Sequence, residues 1–273
     1  MNLLQRALIE KAGHDNGFEH VLPAVTKGWV ALASARHPVE VLVQAGPGGF
    51  AAKLSRCQPS LPAELTRSFP EAAQGNDPSG TAFTLPTEAA LARWLRRAAV
   101  LAQALPDQAM TAFDAQVQAA LAELEPAAAK NTEVQRLVRQ RVGQQAFRHA
   151  MLDYWGGACA VTGVAVSQAL RASHAMAWAL CATDAERLDV YNGFLLSANL
   201  DALFDAYLAT FLLDGELVIS PAVPAAAQVQ LGIAPDLRLR WLDERHLPYL
   251  AFHRLQCGWL SEWRQAPAPR ECP

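Results

Sequence analysis

Residues 171 to 178 read RASHAMAW, with His174 set between Ala172–Ser173 and a Met-Ala-Trp run. A titratable ring in such apolar company is either a satisfied core residue or a group held ready for chemistry. The residues downstream bear on that choice. Asn192 precedes Gly193, a pair suited to a fixed turn whose amide can clamp a loop. Asp201 and Asp205 follow at i, i+4 in a helical pattern, which places both carboxylates on one face. An imidazole accepts a proton near neutral pH, and a carboxylate is a ligand for a hard divalent cation. Together they form the equipment for hydrolysing a phosphodiester: a base to deprotonate water, and a cation to stabilise charge on the phosphate and the leaving oxygen. Asp205 has an equal alternative, as a group that caps or ties down the next strand.

These residues need elements to position them. A helix is predicted from Thr132 to about Asp153, opened by a Thr-x-x-Gln capping box. Between Lys130 and His149 it carries five cations, Lys130, Arg136, Arg139, Arg141 and Arg148, against Glu133 alone. That charge is either a solvated face or a phosphate-contacting one. Gln144 and Arg148, one turn apart, could both touch DNA, or Arg148 could pair with Asp153. CAVTG (159–163) reads as a short strand into a turn, and ALRASHAM (169–176) as a second strand ending at the histidine. TDAERLDV reads as a charged loop, Ser197 as the cap of a helix carrying Asp201 and Asp205, and Asp214-Gly215 as a hairpin turn. His253 falls in an apolar helical stretch and reads as structural.

The first 125 residues show no catalytic motif. A helix over 2–12, strands at 29–34, 39–45 and 50–55 with a GPGG turn between the last two, and a loop over 57–82 are expected. Thr87 should cap a long Ala/Leu helix that Pro106 stops, and a second Ala-rich helix should cover 107–124. Trp29 and Phe50 suit either a core or stacking on an extruded base. Apart from Trp178, the tryptophans, 29, 94, 155, 241, 259 and 263, read as core and rim. EPAAAKN (125–131) is the expected junction, which divides the chain into 1–125, an accessory or DNA-recognition domain, 132–260, and a tail over 261–273. The fold class is α+β, with a short antiparallel sheet and Ala-rich helices in the N-terminal part.

Composition narrows the classes further. At 52% hydrophobic over 273 residues the chain can bury a real core, which excludes disordered and collagen-like classes. A net charge of −3 requires that any nucleic-acid contact come from local charge. The N-terminal MNLLQRALIEKAG reads as an amphipathic helix, not a signal peptide. The uncharged stretch 217–235 is broken by Pro221, Pro224 and Gly232 and reads as strand, turn and short helix, not a membrane span. Five cysteines, 57, 159, 181, 257 and 272, form no C-x-x-C pair, so reduced thiols, a cytoplasmic setting and no structural zinc are expected.

Residues of about 132 to 256 resemble an HNH endonuclease, a ββα-metal nuclease. The resemblance rests on Arg141, Gly143, Gln144, Phe147 and Arg148; Cys159 to Gly163; Ala172 to His174; Arg187 to Asp189; Asn192 and Gly193; Leu200 to Asp205; and YLAFHR at 249–254. It implies His174 as general base, Asn192 as the loop-holding residue and Asp201 at the metal-ligand position, with Asp205 as a second carboxylate. The implied cofactor is Mg2+ or Mn2+, and the implied partner is double-stranded DNA, plain or base-modified, contacted by Arg136, Arg139, Arg141, Gln144 and Arg148. A second copy of the chain is an open option, and no membrane partner is expected. The expected activity is metal-dependent DNA cleavage of a restriction or defence type, with the N-terminal domain recognising the target. The chain departs from the family pattern in four places. Ser173 stands where many relatives have a carboxylate, and Asp201 where many have His. Ala175-Met176-Ala177 replaces Ile-Lys-Pro, and Ala206-Tyr207 replaces a Gly turn. These departures carry the rival expectation, a DNA-binding protein whose nuclease site has decayed.

Overall fold

A computed structural model describes residues 1–23, 26–73, 77, 79–125 and 129–260. The expected tail over 261–273, with Trp263 and Cys272, and residues 126–128 of the expected junction lie outside the described residues. The chain divides into two units, Met1–Gln108 and Ala109–Pro273. Among the described residues no helix is long and apolar enough to cross a membrane.

The first unit opens with α1 (Leu3–Asp15), started by a reciprocal capping box in which Asn2 Oδ1 accepts the Gln5 N–H at 2.8 Å. Five antiparallel strands follow in chain order within one sheet: β1 (His20–Leu22), β2 (Val30–Ala33), β3 (Glu40–Gly46), β4 (Gly49–Arg56) and β5 (Ala82–Leu85). Val41 faces Leu54 and Val43 faces Ala52, all four buried, while Lys53 on the other face is exposed. This period of two directs one face of the sheet to the core. Between β4 and β5 lies α2 (Leu61–Ser68), and α3 (Glu88–Ala104) follows β5; α4 (Pro106–Ala122) begins at the end of this unit and lies mostly in the second. Thr87 Oγ1 caps α3 through the Ala90 N–H, and Leu91, Trp94, Leu95 and Ala98 form its buried stripe. Pro106 both ends the run of α3 and begins α4, where a missing N–H costs nothing.

Three sequence expectations change in this unit. β1 and β5 join the three anticipated strands, and α2 occupies part of the expected loop over 57–82. Pro62 sits in the first turn of α2, where proline is tolerated, and Leu61 and Leu65 bury one helical face. A turn-rich composition concealed that short amphipathic element.

The second unit is organised by α5 (Thr132–Tyr154). Its cap lies one residue before the expected Thr132: Asn131 Oδ1 accepts the N–H groups of Glu133 and Val134. CAVTG forms no strand. The Gly163 N–H returns to the Cys159 carbonyl, and Gly163 sits at φ +71, so the chain closes into a turn. The strand pair is instead β6 (Leu170–His174) and β7 (Gly193–Ser197), antiparallel, with His174 opposite Gly193 and Leu170 opposite Ser197. The stretch between them is not a bare loop: α6 (Asp184–Leu188) starts at a Thr183–Glu186 capping box. Helix α7 (Ala198–Asp205) follows β7 directly; Ser197 takes its N-cap position without a side-chain capping bond. The hairpin β8 (Ala209–Phe211) and β9 (Leu217–Ile219), α8 (Ala225–Gln230) and α9 (Leu247–Gln256) complete the unit. Strand, loop, strand and helix therefore run β6–β7–α7, with Asn192 immediately before the second strand rather than after it.

Gly193 is where this arrangement tolerates no side chain, because a Cβ there would overlap the Ser173 carbonyl oxygen across the strand pair. The obstacle is backbone and cannot swing aside. Gly193→Ala is expected to cost about 1–3 kcal/mol, the range of an overpacked core site. Thermal melting of the variant should show a midpoint several degrees below the parent, and an unchanged midpoint would show that the strands can part without penalty.

Candidate active site

β6 delivers His174 to one side of a cleft of about 500 Å³, and α7 delivers Asp201 and Asp205 to the same cleft. The imidazole is half-buried and stacked on Phe147 of α5, ring centroids 3.7 Å apart, with the Trp178 ring edge-on at 6.0 Å. Its Nε2 lies 2.9 Å from the Arg187 carbonyl oxygen. A carbonyl only accepts, so Nε2 carries the hydrogen and Nδ1 keeps the lone pair. Burial pushes the ring's pKa down to about 4, against the opposing effect of the Arg187 bond. His174 is therefore a neutral imidazole at pH 7, in the protonation state that a base requires.

The segment that supplies this carbonyl is tightly held. Asn192, fully buried, accepts the Met176 N–H at Oδ1 (2.8 Å) and donates Nδ2 to the Glu186 and Met176 carbonyls (2.9 and 3.2 Å). The Arg187 guanidinium bonds Asp184 and the carbonyls of Cys181 and Trp178. Gly143 of α5 makes room for the Trp178 ring, which a Cβ would overlap.

On the acidic side, Asp201 Oδ1 accepts the hydroxyl of Ser173, itself buried, at 2.6 Å. Asp205 stays open to solvent, yet its pKa is raised to about 6; withdrawal of water by the surrounding protein is the larger cause and the Asp201 charge the smaller. Two carboxylates one turn apart, with the Asp201 charge acting on Asp205, are a donor set that a hard divalent cation would complete. In that sense the residues fit a metal ion, with its remaining ligands left to water and substrate. Among the described residues no group of three or more His, Cys, Asp and Glu side chains could hold a metal by itself.

The five predicted DNA-contacting side chains separate into three sets. Arg136 is paired with Glu133, and Arg139 bridges Asp114 and Asp184. Arg141 is exposed and has no hydrogen bond or ion pair among the described residues. Gln144 and Arg148 line the cleft, and Arg148 holds the carbonyls of Leu170 and Ser167, not Asp153. His253 also borders the cleft, but both its nitrogens are engaged, Nε2–H with the Phe204 carbonyl and Nδ1 with the Thr210 hydroxyl, each at 3.0 Å. It packs α9 against the end of α7, in line with the structural expectation for it. Sequence reading missed Arg171, which lines the cleft beside His174, and the part played by Arg187, whose contribution is a main-chain oxygen.

The raised Asp205 pKa has a definite sign. The folded state holds that proton more tightly than the unfolded chain, so the associated stability is complete below about pH 4 and is lost as pH rises through 6. Asp205→Asn should accordingly melt above the parent at pH 8, with the gap closing toward pH 4. Added Mg2+ or Mn2+ should raise the parent's midpoint and leave the variant's nearly unmoved. Equal midpoints for the two proteins at pH 8 would show that neither burial nor the Asp201 charge penalises the Asp205 carboxylate.

Residues 159–212, which include His174, Asn192, Asp201 and Asp205, match a family model, HNH_2, described as HNH endonuclease. No curated protein matches the chain. The C-terminal half of the chain thus carries a segment similar to the HNH endonuclease family.

Proposed function

We propose that this protein is a metal-dependent DNA endonuclease of a restriction or defence type, acting on double-stranded DNA in the cytoplasm, with its N-terminal domain (1–125) recognising the target, base-modified or plain. The observation that carries the reading is the convergence on one cleft of a neutral, carbonyl-anchored His174 and the Asp201–Asp205 pair, inside the segment that matches the nuclease family. Asp201 and Asp205 would hold Mg2+ or Mn2+, which when bound supplies positive charge to the phosphate and the leaving oxygen. His174 Nδ1 takes the proton from the attacking water, while Nε2–H stays on the Arg187 carbonyl and fixes the ring's aim. Asn192 acts by positioning, since its amide fixes the loop that presents that carbonyl. Ser173 aims the Asp201 carboxylate. Arg141, Gln144 and Arg148 face the DNA, and Arg136 and Arg139 contribute less, because their charge is already matched by carboxylates.

The test is incubation of plasmid DNA, plain and cytosine-modified, with the protein in Mg2+, Mn2+ or EDTA. Cleavage is expected with metal, none in EDTA, and a loss of about 10²–10⁴-fold in His174→Ala, the usual worth of a general base. Binding without cleavage of any substrate in either metal, unaffected by His174→Ala, would overturn the reading in favour of a DNA-binding protein with an inactive site. Ser173, in place of a carboxylate, is the feature that favours this second reading.

A further inference from the structure

We propose that Arg148 and Arg171 form a phosphate clamp in the cleft, gripping a backbone phosphate next to the one that His174 faces. The proposal rests on the reading of this cleft as DNA-cutting and names the part of the substrate that its arginine pair holds.

Arg148 comes from α5 and Arg171 from β6, yet both reach the same acceptor. Arg148 Nη1 lies 2.7 Å from the Leu170 carbonyl oxygen, and Arg171 Nη1 lies 2.9 Å from that same oxygen. Arg148 Nη2 is further held by the Ser167 carbonyl at 2.8 Å, and Arg171 Nη1 by the Gln168 carbonyl at 2.9 Å. The two Nη1 atoms are therefore no more than two hydrogen-bond lengths apart, and two full positive charges that close repel. Among the described residues neither guanidinium pairs with a carboxylate, whereas Arg136, Arg139, Arg187, Arg238 and Arg245 all do. Carbonyl dipoles orient the pair without cancelling its charge.

Asp201 and Asp205 border the same cleft, but neither arginine bonds to them. The cleft is thus lined by an acidic pair from α7 and an arginine pair held at the start of β6, with His174 bordering the same space. An uncompensated guanidinium pair suits an anion with several oxygens, because each planar fork can donate two parallel N–H bonds to a phosphate. Arg171 keeps Nε and Nη2 without a partner among the described residues, so donors remain to be used. A DNA strand laid along the cleft supplies such an anion at every nucleotide, and the contact would be sequence-independent.

The experiment is a salt-dependent titration of a duplex oligonucleotide in EDTA, with the parent, Arg171→Ala, Arg171→Lys and Arg238→Ala. Arg171 is exposed and bonds only to nearby carbonyls, so the alanine variant should keep the parent's melting midpoint. If it does not, the lysine variant, which keeps the charge, carries the test at constant salt. Arg171→Ala should lower the slope of log K against log salt by about 0.9, one lost phosphate contact. Arg171→Lys should retain the slope while weakening affinity several-fold through loss of the fork, and Arg238→Ala should match the parent. A slope in Arg171→Ala equal to the parent's, a lysine variant binding as tightly as the parent, or a parent that shows no salt-dependent binding would each overturn the clamp. Because no metal is present, the outcome is independent of cleavage: an inactive protein with the expected slopes keeps the clamp and loses the nuclease reading, and an active one with unchanged slopes does the reverse.

Discussion

The hydrogen bond from His174 Nε2–H to the Arg187 carbonyl is the constraint around which the second unit is arranged. An imidazole has two nitrogens, and only the one without a hydrogen can accept a proton. Donation of Nε2–H to a group that cannot donate in return assigns the tautomer and leaves Nδ1 available. A carbonyl can serve this purpose only if its peptide is fixed, and the stretch between β6 and β7 is fixed at both levels. Asn192 uses both ends of its amide on the main chain of Met176 and Glu186, and the Arg187 side chain gathers Cys181, Trp178 and Asp184. Gly193 then lets the strand return close enough to pair with β6. Each of these contacts is modest alone, about 1 kcal/mol net for an ordinary hydrogen bond. Their joint effect is geometric: the position of the imidazole is set by a closed ring of bonds.

Charge is segregated around this imidazole. The acidic pair on α7 and the arginine pair at the start of β6 border one cleft without neutralising each other. Folding gains little from either pair, since like charges held close raise the energy of the folded state. Surface arginines elsewhere on α5 show the alternative: Arg136 and Arg139 have found acidic partners, and their charge is no longer available to a ligand. A cleft that keeps both surpluses separate is suited to a ligand that carries a phosphate and to a cation that accompanies it.

How much of this was legible in the sequence depended on where the chemistry resides. His174, Asn192, Asp201 and Asp205 were legible because their side chains have few uses in combination, and because i, i+4 spacing survives any small shift of helix boundaries. The role of Arg187 was not, because every residue carries a carbonyl and only the fold selects one. Arg171 was passed over because a single cation beside a strand has no pattern; its significance arises from sharing the Leu170 oxygen with Arg148, from a different element. The strands 30–33, 40–46 and 49–56 showed alternation and a turn, whereas β1 and β5, of three and four residues, are too short to show any. CAVTG misled through its β-branched valine and threonine; Gly163 and the Cys159–Gly163 bond close the segment before a ladder can form.

Ser173 illustrates how a local departure can be absorbed by electrostatics. Its side chain is buried, one residue before His174, and its hydroxyl donates to Asp201 Oδ1. A carboxylate in that place would be a third acid against Asp201 and Asp205, buried where an unpaired charge is costly. The Asp201 charge already contributes to the raised pKa of Asp205. A hydroxyl adds no charge and donates a hydrogen bond to Asp201 Oδ1, which restricts the rotation of that side chain. The site thereby has one fewer charge to attract a cation and one more bond to aim the carboxylate that remains.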